Sequence, residues 1–222
     1  MRKILVLLCA IFSIINVYLI FQWVPTEINQ GAVQRILYIH VPLAWISMLA
    51  IIVLAITSII YLVTKKPIWD HISVSCAEVG IVAAIGMLIS GIVWAKPVWG
   101  VWWTGEAKLT TALILFFIYC AYLMFRSYFP AGPLREKSAA VIAIIGAIDT
   151  PFIYFAAQIW EQNHPTIVIG PLATQESNLG GDLALTLLFS TLTFSLIFFT
   201  IVYLQTRYKI LEFKLEQFQK RA

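Results

Sequence analysis

Apolar residues fall in six long runs, at roughly 4–24, 41–64, 74–95, 108–125, 138–159 and 183–206. Each is close to or above the ~20 residues that a helix needs to cross a bilayer. The runs do not alternate polar and apolar positions, which argues against a transmembrane barrel. Backbone groups in lipid must be bonded within their own segment, so the pattern predicts helices. Turn formers and charge separate the runs: Pro25, Lys65-Lys66-Pro67, Pro97, Pro130 to Pro133, and Gly180-Gly181. No internal repeat or low-complexity tract interrupts them. The expected fold is all-α: a polytopic integral membrane protein with six transmembrane helices over 1–206 and a short tail over 207–222.

Composition agrees with that pattern. Hydrophobic residues are 61% of the 222 and charged residues 12%, about half the charge of an ordinary soluble domain. Cys9, Cys76 and Cys120 lie in apolar runs without metal-site spacing, so they read as small buried hydrophobes. The opening Met1-Arg2-Lys3 before an apolar run has the look of a signal peptide. That run continues to Trp23 and Val24 with no Ala-x-Ala-like cleavage site, so an uncleaved first helix is expected.

Charge orients the helices. One set of connectors carries Arg2, Lys3, Lys65, Lys66, Arg126, Arg135, Lys137, Arg207, Lys209, Lys214, Lys220 and Arg221; the other carries only Arg35, Lys96 and Lys108. Both termini are therefore expected to be cytoplasmic, with the loops after the first, third and fifth helices facing outward. The basic residues form short scattered groups, which excludes a nucleic-acid patch. In the tail, Leu211, Leu215 and Phe218 share one helical face; it reads either as a surface helix on the membrane or as a docking site for a cytoplasmic partner.

The outward face gathers the chemistry. The loop after the third helix, from Trp94 to Thr110, holds Trp94, Trp99, Trp102 and Trp103, half of the chain's eight tryptophans. An interfacial belt would spread indoles over all helix ends, whereas a cluster suits a large, flat, apolar ligand. His40 stands at the outer end of the second helix and His164 in the loop after the fifth; His71 belongs to the inward 65–70 connector. Neutral imidazole is a standard axial ligand of haem iron. Arg35, Lys96 and Lys108 lie within a few residues of His40 or the tryptophans, where cations pair with the carboxylates of a haem or simply mark the interface. Glu78 and Asp149 lie within spans. Glu78 snorkels or caps, and Asp149 is either a functional intramembrane acid or a partner for backbone freed by Pro151, where a kink is expected.

With these residues in view, the chain resembles the cytochrome c maturation protein C family, also called haem exporter protein C. Trp99-Gly-x-Trp102-Trp103 through Leu109-Thr110 is similar to that family's tryptophan-rich WWD signature. Arg35-Ile-Leu-Tyr38-Ile-His40-Val-Pro42 resembles its first histidine motif, and Asp149-Thr150-Pro151 with Trp160 and His164 its second. The resemblance implies haem b as cofactor, His40 and His164 as the metal ligands, and contact from Trp99, Trp102 and Trp103, with Glu106, Lys108 and Arg35 beside them. Glu106 and Lys108 stand where the family more often has Asp and Arg, and lysine lacks arginine's bidentate fork.

Such proteins sit in the bacterial inner membrane with the haem site on the periplasmic side. They present haem to a CcmE-like haem chaperone, beside an ABC-type ATPase, a second membrane subunit and a small helper membrane peptide. The lipid bilayer is the remaining partner, and nucleic acid is not one. A haem transporter subunit, a membrane cytochrome b and a haem lyase are the competing readings. No Ser-His-Asp set, phosphate loop or zinc spacing marks the chain as an enzyme in its own right.

Overall fold

The computed structural model describes residues 2–160 and 179–219. Seven α-helices account for nearly all of them: α1 (Arg2–Tyr18), α2 (Leu37–Thr64), α3 (Pro67–Trp99), α4 (Ala107–Tyr128), α5 (Pro133–Gly146), α6 (Asp149–Ile159) and α7 (Gly181–Gln219). A π-helical turn, Leu19–Trp23, extends α1, and a 3₁₀ turn, Ala32–Ile36, leads into α2. There is no strand among the described residues. With α5 and α6 taken together, six segments are long and apolar enough to span a membrane. The chain is a polytopic, all-helical membrane protein.

The helices outrun the apolar runs that predicted them. At 1.5 Å per residue α3 is about 50 Å long and α7 almost 60 Å, against a hydrocarbon core of ~30 Å. Hydropathy registers only the lipid-embedded part, while the helix continues wherever its backbone bonds can form. Two placements change as a result. His71 is not in a connector, because Pro67 occupies the first turn of α3 and Asp70 follows at its positive end, both favourable for an early start. Trp94 and Trp99 are not in a loop either. Pro97 falls in the last turn of α3, where it leaves the Val93 carbonyl without its usual helical bond, and α3 ends two residues later at Trp99. The loop itself is short, from Gly100 to Glu106.

The fifth span does break near Pro151. Helical bonding stops at Ala147 and Ile148, and Asp149 begins α6. The Ala147 carbonyl, which Pro151 cannot bond, accepts the Thr150 N–H at 3.2 Å. Asp149 is thus at a helix start, with its Oδ2 buried and without a partner among the described residues.

Small residues let the backbones approach, as expected where lipid supplies no hydrophobic drive between helices. Cys76, Ala77, Gly80, Ala83 and Ala84 line the face of α3 that meets α2 and α4. They pack with Ile46, Ala50, Ile51 and Leu54 of α2, Leu115, Tyr119 and Tyr122 of α4, and Phe198 and Val202 of α7. Helix α1 docks on α7, with Phe12 stacked on Phe189 and the Ser190 hydroxyl donating to buried Asn16.

Polar groups close the end of the bundle opposite His40. Arg126 makes a two-pronged ion pair with Asp70 at 2.6 and 2.8 Å, both side chains being 9% exposed or less. Tyr61 donates to Glu136 beside it. Glu78 neither snorkels alone nor caps: it pairs with Lys209 of α7 at 2.7 Å. Helix α7 passes residue 206 without interruption, and Tyr208, Leu211, Leu215 and Phe218 are exposed on its extension.

Candidate functional site

His40 lies in the first turn of α2, and its imidazole is half-buried against α3. Nδ1 is 3.0 Å from the Met87 carbonyl oxygen and 3.1 Å from the Ser90 hydroxyl. Trp94 meets the ring edge-on, with centroids 5.9 Å apart and planes at 71°. Gly91 lies directly beneath: a β-carbon there would stand 2.9 Å from His40 Cε1. Residues 87, 90, 91 and 94 are spaced i, i+3, i+4 and i+7, so one stripe of α3 holds the ring. Nε2 has no hydrogen-bond partner among the described residues.

The groups around His40 come from several elements. Trp94 Nε1 donates to Gln30 at 3.1 Å, tying α3 to the 24–31 turn. In that turn the backbone N–H groups of Asn29 and Gln30 hold the Glu27 carboxyl below its ordinary 4.5. Lys108, at the start of α4, is within electrostatic reach of His40. Trp102 and Trp103, in the Gly100–Glu106 loop, are 57% and 38% exposed, a wide apolar surface at this end of the bundle. Trp99 and Glu106 are half-buried.

Two of the three cations at this end of the bundle have local roles. Arg35 donates to the Phe21 carbonyl at 3.0 Å and approaches Thr26 at 3.4 Å, so it clasps the end of the first span to the start of the second. Lys96 donates to the Gly100 carbonyl at 2.8 Å and lies 5.8 Å from the centre of the Trp102 ring. That pairing closes the C-terminus of α3 and braces the loop, with Gly100 in the left-handed conformation at φ 75°, where glycine is unstrained.

The structure thus brings His40, Trp94 and Lys108 to one end of the bundle, with the Trp102–Trp103 surface on the loop there. His164 lies outside the described residues. Met87, Ser90 and Gly91 were missed from sequence. Their only signal is a spacing that places them on the Trp94 face of α3, and an apolar helix offers many such faces.

A multi-pass helical membrane protein with a histidine held against a tryptophan-bearing helix at one end of its bundle is the class these features define. Residues 1–221 match the family model described as CcmC, Heme exporter protein C, and the chain belongs to that family. It is 35% identical over 172 residues to a putative cytochrome c biosynthesis ccmC-like mitochondrial protein of Marchantia polymorpha, covering 78% of this chain and 73% of that protein. It is 34% identical to Heme exporter protein C of Bradyrhizobium diazoefficiens over 63% of this chain and 53% of that one. For Heme exporter protein C of Escherichia coli the identity is 31%, over 65% and 59% respectively. The matched segments thus span from about half to three quarters of these relatives.

Proposed function

We propose that this chain handles haem in cytochrome c biogenesis, binding haem b at the His40 end of the bundle and presenting it to a haem chaperone. Its relatives are named for cytochrome c biosynthesis and haem export. The observation that carries the reading is the setting of His40: one ring nitrogen is held by α3 and the other has no partner among the described residues. A ligating histidine needs that arrangement, because the bond at one nitrogen fixes the ring and leaves the other for the metal. The residues present suit a haem. Gly91 leaves room for the His40 ring, which a β-carbon there would crowd, and the exposed Trp102 and Trp103 offer flat apolar faces.

In this reading His40 and His164 are the axial ligands, and Trp99, Trp102 and Trp103 contact the macrocycle. Lys108 and Arg35 lie near its carboxylates, with Glu106 beside them. Iron held this way supplies the redox chemistry of the bound haem; the chain's part is to bind and orient it, so the protein is a carrier rather than an enzyme. The site faces the outer side of a bacterial inner membrane, both termini face the cytoplasm, and the partners are a CcmE-like chaperone, an ABC-type ATPase, a second membrane subunit and a small helper peptide.

The test is an optical spectrum of gently purified protein together with an inventory of what co-purifies. Haem absorption that collapses in a His40→Ala, His164→Ala double variant supports the reading. An unaltered spectrum in that variant refutes axial ligation by the pair. A second reading, passage of haem across the bilayer, draws on Asp149 at the α5–α6 break, whose Oδ2 is buried without a partner among the described residues. ATP-dependent haem uptake into sealed vesicles that fails with Asp149→Asn would favour it.

A further inference from the structure

We infer that α3 fixes the tautomer and aim of His40, with Ser90 and Gly91 as positioning residues that present Nε2 to the ligand. The ligand's identity rests on the haem reading above; the tautomer does not. The Met87 carbonyl can only accept a hydrogen bond. At 3.0 Å from Nδ1, its partner must be an N–H. Ser90 adds a constraint. Its hydroxyl is 2.7 Å from the Gly86 carbonyl and 3.1 Å from the Met87 carbonyl; the nearer, Gly86, takes the hydroxyl proton, which turns a serine lone pair toward Nδ1 at 3.1 Å.

Two acceptors therefore converge on one ring nitrogen. The opposite tautomer would set a bare Nδ1 lone pair against the Met87 oxygen and pull the Ser90 proton away from Gly86. The proton belongs on Nδ1, and a neutral ring then carries its lone pair on Nε2. The Met87 carbonyl has a second lone pair for its helical bond, so holding His40 does not break α3.

Position is fixed by the same stripe. With Gly91 below the ring and Trp94 at its edge, the imidazole has a slot about one β-carbon deep. An alanine at 91 would place its methyl 2.9 Å from Cε1, too close for two carbons, so the ring must tilt away. No motif in the sequence assigns Ser90 or Gly91 a role; they act on the ligand through His40.

The experiment uses the full chain in lipid nanodiscs, with ¹⁵N-labelled histidine and no haem. His40 is assigned by the signals lost in His40→Gln. The wild type is expected to show a pyrrole-type Nδ1 and a pyridine-type Nε2. Ser90→Ala should introduce the Nε2–H tautomer, and Ser90→Thr, which keeps a hydroxyl, should restore the wild-type pattern. Titrated with haem, Ser90→Ala and Gly91→Ala should bind about tenfold or more weakly, the usual scale for partners behind a metal ligand, and Ser90→Thr should bind like wild type.

A predominant Nε2–H tautomer in the wild type overturns the inference. So does a Ser90→Ala variant with unchanged histidine shifts and wild-type haem affinity. If instead His40→Gln leaves haem binding intact while the tautomer pattern is as expected, the haem reading fails and the positioning of His40 by α3 stands.

Discussion

A single methyl group at Gly80 tests how the three central helices pack. On α3 this glycine faces Tyr119 of α4, and a β-carbon there would lie 2.5 Å from Cζ and Oη and 2.6 Å from Cε1. Carbon atoms in contact sit near 3.5–4.0 Å, so the ring must retreat by roughly 1 Å. It has little room: Tyr119 is fully buried, and its hydroxyl donates to the Ser47 carbonyl of α2 at 2.6 Å. Overpacking of this kind costs about 1–3 kcal/mol. Loss of the Tyr119 hydrogen bond adds about 1–3 kcal/mol for the buried hydroxyl left unpaired. Alanine's better helix propensity returns about 1 kcal/mol. Gly80→Ala is therefore expected to destabilise by about 1–5 kcal/mol, read from reversible unfolding in mixed detergent micelles. Tyr119→Ala should open space for the methyl, so in the double variant the Gly80→Ala penalty should largely vanish, a coupling expected between residues in contact. A Gly80→Ala protein as stable as wild type, or a penalty unchanged in the Tyr119→Ala background, would refute this account of the α3–α4 approach.

The other expectations concern charges and caps. Arg126→Met should cost about 3–5 kcal/mol by leaving Asp70 buried and uncompensated, and the double change Arg126→Met, Asp70→Leu should recover most of that; chemical unfolding of the four proteins decides it. Lys209→Ala should change stability by at most about 1 kcal/mol, since its pair with Glu78 is partly exposed, a difference readable in the same unfolding series. Arg35→Ala should loosen the clasp at Phe21, costing about 1.5–3 kcal/mol for a hydrogen bond from a charged donor; lost haem affinity with unchanged stability would mean that Arg35 serves the ligand instead. For Glu27 the folded carboxyl is held below its ordinary value, so its contribution is present above about 4.5 and is lost as pH falls through the lowered value. Protection of the Asn29 and Gln30 amides, relative to their intrinsic exchange rates, should fall over that acid range.

How far the sequence alone reached differs between the fold and the site. The six spans were legible because lipid imposes a length and a composition on every crossing segment, and each apolar run has its helix. The break at Pro151 was legible as well, since proline removes a backbone donor wherever it occurs. His40 and the tryptophans stood out by residue type and by resemblance, before any contact was known. Helix ends were less legible: a helix continues past the hydrocarbon without a change that hydropathy records, so His71, Trp94 and Trp99 moved from connectors into α3.

The partners of these residues were set by tertiary structure. Arg35 and Lys96 read as cations near a ligand, but their nearest acceptors proved to be the carbonyls of Phe21 and Gly100, which only the fold brings within reach. Asp70 and Arg126 are 56 positions apart, and nothing in their flanking residues marks them as a pair. His40 is the sharpest case. Its chemistry belongs to the imidazole and was present in the sequence. Which nitrogen carries the proton depends on the face of α3 that packs against α2, because hydrogen bonds need contact within ~3 Å, and that contact is a property of the packed bundle.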